Sequence, residues 1–136
     1  MSTDMTYFAP MPLLNADFAL SFARSWIEDW NQHDIDAVLS HYAADFELAS
    51  PLIPSITGEP SGILQGKAEV SAYWKKGLAQ IPDLHFELQE VLTGIDSLTL
   101  YYRGHQGMVT EVLWFDDSGK VKKAVACYAI RINKED

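Results

Sequence analysis

The sequence predicts an α+β fold in which three N-terminal helices wrap one curved antiparallel sheet, giving a cone with an interior. Two observations carry this expectation. Helical periodicity is confined to residues 15–81, while strand-like alternation fills residues 84–132; segregated helices and strands belong to the α+β class. In addition, WIEDWNQHDIDAVLSHYAADFELASP, Trp26 to Pro51, reads as a helix end, a sharp corner, a short second helix and a strand that stops at proline. Two helices feeding straight into a sheet edge make a wedge, and a wedge can hold a pocket.

Residues 1–14 have no clear period, yet Tyr7, Phe8, Met11, Leu13 and Leu14 are too apolar for a free tail, so the segment reads as an arm packed on the body. Asn15 or Asp17 can cap the first helix, where Phe18, Phe22, Trp26 and Trp30 recur every fourth residue. The polar run Asn31–Asp34 ends it, and Asp34 suits the N-cap of a second helix carrying Ile35, Val38, Leu39 and Tyr42. Phe46 to Ser50 alternates as a short strand with Phe46, Leu48 and Ser50 on one face. Pro51–Gly66 holds three of the six prolines and three of the eight glycines, yet also Leu52, Ile53, Ile56, Ile63 and Leu64. It reads either as a rim over the pocket or as a loop packed on the core. Lys67–Ile81 forms a third helix with Val70, Tyr73, Trp74, Leu78 and Ile81 on one side, ended by Pro82. Strands follow over 84–93, 97–103, 108–115 and 121–132, with turns at Gly104–Gly107 and Asp116–Lys120. One domain over 15–132 results, with a short tail at 133–136.

Composition narrows the partners. Lys+Arg 10 against Asp+Glu 19 gives a formal charge of -9, and no basic cluster exceeds Lys122–Lys123. That field disfavours nucleic acid and acidic membrane surfaces. A single cysteine, Cys127, allows no internal disulfide and fits a reducing cytoplasm. Neither a basic leader nor a membrane-length apolar run is present, so a cytoplasmic protein is expected.

The element order, together with WNQHDIDAVLSHYAADFELASPL, GKAEVSAYW, LYYRGHQG, EVLWFDDSGKV and AVACYA, resembles the nuclear transport factor 2-like superfamily, and its bacterial SnoaL-like branch in particular. The resemblance implies the cystatin-like α+β cone. It also implies a range of functions, from isomerases, dehydratases, cyclases and hydrolases to non-catalytic binding modules, because fold alone does not assign chemistry. A ketosteroid isomerase is a relative in fold that works with an aspartate base, a tyrosine and a protonated aspartate. Along the matching segments its base falls at Ser50, its tyrosine at Trp26 and its protonated acid at Glu111. Serine cannot abstract a proton without its own base, and an indole is no phenol. The resemblance therefore does not carry that mechanism over.

Glu111 becomes the leading catalytic candidate. If Leu113 and Phe115 face the cone, Glu111 does too, and burial would raise its pKa toward neutrality. Which tyrosine accompanies it depends on the hairpin turn. If Gly104 pairs with Gly107, Leu100 lies opposite Glu111 and Tyr102 shares its face; a three-residue turn would place Tyr101 there instead. Expected pocket walls are Phe22, Trp26, Trp30, Leu48, Ser50, Ile53, Tyr73, Trp74, Leu113, Ala124, Ala126 and Tyr128, with His41 or Tyr42 as a further possibility. His33, His41, His85 and His105 have no metal-site spacing, so no metal is expected, and no cofactor motif is found. Val112, Trp114, Val125 and Cys127 would share the outer sheet face, which fits a homodimer through the sheet. Three readings follow: cofactor-free acid–base chemistry on an apolar carbonyl metabolite, non-catalytic binding of a small apolar molecule, or a dimerisation domain with a filled core.

Overall fold

In the computed structural model, which describes residues 14–130, a pair of helices comes first among the described residues. Residues 1–13 of the expected 1–14 arm and the chain from 131 on, with its expected tail, lie outside the described residues, and Leu14 is buried. Helix α1 spans Ala16–Asn31 and α2 spans Ile35–Leu39. The Asn15 carboxamide oxygen caps α1 by accepting from the Phe18 N–H at 2.8 Å, and Asp34 caps α2 by accepting from the Ala37 N–H at 3.0 Å. Between them His33 turns the corner at φ 60, a left-handed conformation that histidine tolerates better than most residues. Helix α1 buries Ala19, Phe22, Ala23, Trp26 and Trp30, the fourfold stripe expected of it. Its last residue, Asn31, clasps the Phe86 backbone in both directions, donating to the carbonyl at 2.9 Å and accepting from the N–H at 2.7 Å.

Strand β1 runs from Tyr42 to Ala49. The Pro51–Gly66 segment then folds a short helix, α3 (Ile53–Thr57), and a three-residue strand, β2 (Ile63–Gln65). Gly58 ends α3 in the left-handed region at φ 86, where a Cβ would be strained. Helix α4 covers Gly66–Gln80. The meander follows as β3 (Glu87–Thr93), β4 (Ser97–Gly104), β5 (Gly107–Phe115) and β6 (Val121–Tyr128).

These strands form one six-stranded sheet in the order β2-β1-β6-β5-β4-β3. The sheet is mixed rather than wholly antiparallel, because β1 pairs with β6 in parallel. The reason is parity. Strand β3 runs opposite to β1, and three hairpin reversals bring β6 back into the direction of β1. Helix α4 and the intervening meander supply the long crossover that a parallel pair needs. The joint is fastened where the Val121 N–H donates to the His41 carbonyl at 3.0 Å and Lys120 Nζ donates to the Ser40 carbonyl at 2.9 Å. The sheet ends at β2 and β3, so the cone is open and not a closed barrel. Register shifts at Tyr42/Glu47, Leu88/Glu90 and Trp114/Phe115 accentuate the twist that curls it around the helices.

The concave face of the sheet and the apolar stripes of the helices share one core. Phe46, Leu48, Leu98, Leu100, Leu113, Val121 and Ala124 are fully or almost fully buried in it. Phe18 and Phe22 both pack edge-on against Phe115, holding α1 across the sheet.

Candidate functional site

Burial along β5 alternates strictly: Val109, Glu111, Leu113 and Phe115 point inward, while Thr110, Val112 and Trp114 point outward. Glu111 is thus placed on the concave face by the same alternation that builds the core. The hairpin before it has a two-residue loop, His105–Gln106, between paired Gly104 and Gly107. That register puts Leu100 opposite Glu111 and Tyr102 opposite Val109, on the same face. Tyr101 falls on the other face, 37% exposed. It is therefore removed from the set of interior candidates, because the short turn, not a three-residue one, sets the register.

Glu111 looks onto a cavity of about 600 Å³. Of the residues expected around it, Trp26, Trp30, Leu48, Ser50, Tyr73, Trp74, Tyr102, Glu111, Ala126 and Tyr128 line it. Phe22, Ile53, Leu113 and Ala124 do not; they are buried in the solid core. Phe22 lies too far toward the N-terminus of α1 and packs on Phe115 and His41 instead. Leu113 and Ala124 face each other across β5 and β6, two register pairs along from Glu111 and Ala126, and both are fully buried. His41 and Tyr42 also stay outside the cavity. His41 Nε2 lies 3.0 Å from Asp29 Oδ2, and the Tyr42 hydroxyl accepts from the Trp26 indole N–H at 2.9 Å. Sequence reasoning missed the opposite wall, Leu78, Ile81, Leu84 and Phe86, and the hairpin loop. A usable signal existed in Leu78 and Ile81, which continue the α4 stripe of Tyr73 and Trp74 by three and four residues.

The rim segment contributes Leu52, Ser55 and Ile56 to the lining, with Leu52 40% exposed. Exposed Gln80, His105 and Gln106 line the cavity as well.

Chemically the site is an apolar chamber with a few polar groups. Burial pushes the Glu111 carboxyl up to about 7, offset in part by the Tyr102 hydroxyl, which donates to Oε1 at 3.3 Å. The lining contains no lysine or arginine among the described residues. Burial and the Glu111 charge in turn push the Tyr42, Tyr102 and Tyr128 phenols above their ordinary range. Just past the end of β1, Ser50 is 5% exposed and its hydroxyl accepts from the Leu52 N–H at 3.2 Å and from the Tyr73 hydroxyl at 3.4 Å. The Trp30 indole nitrogen is buried with no hydrogen-bond partner among the described residues. Those residues also contain no group of three His, Cys, Asp or Glu side chains arranged to hold a metal ion. No described helix is long and apolar enough to cross a membrane.

No curated protein matches the chain. Solved structures do. A SnoaL-like protein of unknown function from Burkholderia thailandensis E264 is 51% identical, with a TM-score of 0.82, covering 85% of this chain and 98% of that one. A cystatin-like protein of unknown function from Methylobium petroleophilum PM1 has a TM-score of 0.69 at 14% identity, over 90% of this chain and 83% of that one. The epoxide hydrolase/cyclase-like enzyme SalBIII, of pyran ring formation in the polyether salinomycin, has a TM-score of 0.65 at 12% identity, over 85% and 94%. The last two likenesses establish the fold alone. The model of the SnoaL-like domain matches residues 23–134, and this chain belongs to that family.

Proposed function

We propose that the protein binds a small apolar carbonyl compound in the cavity and moves a proton next to its carbonyl without a cofactor. Glu111 is the acid and base, and Tyr102 orients it. The carrying observation is a buried carboxyl, raised to about 7, that faces an apolar cavity of about 600 Å³. A group poised near the working pH exchanges protons in both directions, which typically contributes about 10² to 10⁴ in rate. Isomerisation, dehydration and aldol-type cyclisation all fit this class. The second reading is binding without turnover in the same cavity, and the volume of that cavity favours either over a filled dimerisation domain.

One probe separates the two. 1-Tetralone in D₂O exchanges the hydrogens next to its carbonyl, which NMR follows directly. Wild-type protein is expected to accelerate exchange, and Glu111→Gln to lose about 10² to 10⁴ of that acceleration. A compound that binds, by quenching of Trp26, Trp30 and Trp74, but exchanges equally with both proteins would favour simple binding.

The outer sheet face supports self-association. Leu92, Thr99, Val112, Val125 and Ala49 form one cross-strand row, and Leu92 is 52% exposed. Trp114 sits beside it under Lys123 Nζ, 5.5 Å from the ring centre. The proposed partner is a second copy of the chain, packed sheet to sheet. Light scattering on a sizing column should give twice the 15.3 kDa chain mass, and Val112→Lys should return it to one. A wild-type monomer at high concentration would sink this arrangement. The acidic charge supports no nucleic-acid or membrane partner, and the proposed location is the cytoplasm.

A further inference from the structure

The reading above supplies a base for the substrate but leaves its carbonyl oxygen without a donor. Counting protons around the cavity identifies one. Five hydroxyl groups line it: Ser50, Ser55, Tyr73, Tyr102 and Tyr128. The Ser55 hydroxyl donates to the Leu52 carbonyl at 3.0 Å, Tyr102 to Glu111 and Tyr73 to Ser50. Ser50 accepts from both Tyr73 and the Leu52 N–H. Each hydroxyl has a single proton to give. Of the five, Ser50 and Tyr128 donate to no protein acceptor among the described residues, and the phenol of Tyr128 is the more acidic donor of the two. Of the three indoles in the lining, the Trp26 N–H is taken by Tyr42, the Trp30 nitrogen has no open surface, and Trp74 stands on helix α4 rather than beside Glu111 on the sheet.

The sheet places this proton well. Glu111 pairs with Ala126 and Val109 pairs with Tyr128, so Tyr128 is the diagonal neighbour of Glu111 across β5 and β6. Diagonal partners have Cα atoms roughly 7–8 Å apart, within reach of long side chains. The two are flanked on this face by Val109 and by the small Ala126 methyl group. We propose that Tyr128 is the catalytic donor that holds the substrate's carbonyl oxygen, with the reacting carbon above Ala126 and its C–H directed at Glu111.

This assignment rests on the proton-transfer reading. The step balances without a co-reactant. The Glu111 carboxylate takes the proton from the carbon next to the carbonyl. The C–H electron pair becomes the C=C bond of the enolate, the carbonyl π pair moves to oxygen, and the Tyr128 O–H holds that oxygen. Return of the same proton from Glu111 to another carbon completes an isomerisation. Burial and the Glu111 charge push the Tyr128 phenol up, which keeps its proton in place at neutral pH. Relative to the steroid isomerase arrangement the roles are exchanged across the cavity: the donor stands at the Ser50 end and the base at the Glu111 end.

The test compares 1-tetralone with its oxygen-free analogue tetralin, by tryptophan quenching, in wild type and Tyr128→Phe. Tyr128 is 40% exposed, so the variant keeps the fold, and tetralin affinity checks this internally. Loss of one hydrogen bond should weaken 1-tetralone about 5- to 10-fold and leave tetralin within about twofold. The carbonyl stretch of bound 1-tetralone should move to lower frequency in wild type and return in Tyr128→Phe. A shift that survives Tyr128→Phe and disappears in Tyr102→Phe or Glu111→Gln would place the oxygen at Glu111 and overturn the assignment. Equal weakening of both compounds would also overturn it, reducing Tyr128 to a wall. If neither compound binds wild type, the pocket reading itself falls and this assignment falls with it.

Discussion

Replacing Glu111 by glutamine should make the protein more stable at pH 8 and leave it nearly unchanged at pH 4.5. The sign follows from linkage. The folded-state carboxyl titrates at about 7, above its ordinary 4.5. Between those values the folded chain holds a proton that the unfolded chain has released. Stability therefore falls as pH rises through this window, and is fully retained only below it. At 1.36 kcal/mol per pH unit, a buried group with this shift loses about 3 kcal/mol by pH 8. Glutamine is neutral throughout, has the same shape, and can still accept from Tyr102. The neighbouring phenols of Tyr42, Tyr102 and Tyr128 are all pushed upward, so they stay protonated and add no slope below pH 8. Urea unfolding of both proteins from pH 4.5 to 8 measures the difference, in which the titration of the other carboxylates cancels. Parallel profiles would mean that Glu111 is not held in an apolar site. A stabilised variant that has lost turnover would be the familiar exchange of stability for function at an active site.

Local pattern and long-range topology were legible to different degrees, for physical reasons. Period and caps are local, so Phe18 to Trp30, Asn15 and Asp34 could be read directly. The inward direction of Glu111 followed from its spacing to Leu113 and Phe115, because side chains in a strand alternate. Tyr101 and Tyr102 could not be separated without the turn, since one residue of loop length flips every side chain to the other face. The parallel pairing of β1 with β6 left no local trace, because strand direction is not encoded in alternation. Tyr42 was drawn into the second helix by its spacing from Val38 and Leu39. The helix is in fact only five residues long, and Tyr42 opens β1 to meet Trp26. The extent of the cavity was the least readable feature. Whether Leu113 faces a void or solid packing depends on how closely α1 and α4 approach the sheet, and that separation is a sum over many side chains.

Trp26 should be the residue whose truncation costs most, and the cost should divide into two measurable parts. The side chain is 1% exposed and packs on Trp30, stacked Phe86 and Tyr102. Its N–H donates to the fully enclosed Tyr42 hydroxyl. Trp26→Ala removes the ring and extends the cavity into the core, which should cost about 3–5 kcal/mol. That is a large share of the roughly 5–15 kcal/mol that holds a domain of this size. Trp26→Phe keeps most of the packing but strands the Tyr42 hydroxyl, for about 1–3 kcal/mol. Adding Tyr42→Phe to Trp26→Phe removes the stranded group and should recover part of that loss. Urea unfolding of the three proteins measures each step. A Trp26→Ala cost below about 1.5 kcal/mol would mean that the ring lies over open space. Failure of the double variant to recover stability would mean that packing, and not the hydrogen bond, fixes Trp26 in place. The division matters for the site, because the ring that supports the core on one side forms the cavity wall beside Tyr102 on the other. A variant that keeps stability but loses quenching by 1-tetralone would show that the pocket depends on the orientation of Trp26 more than the fold does.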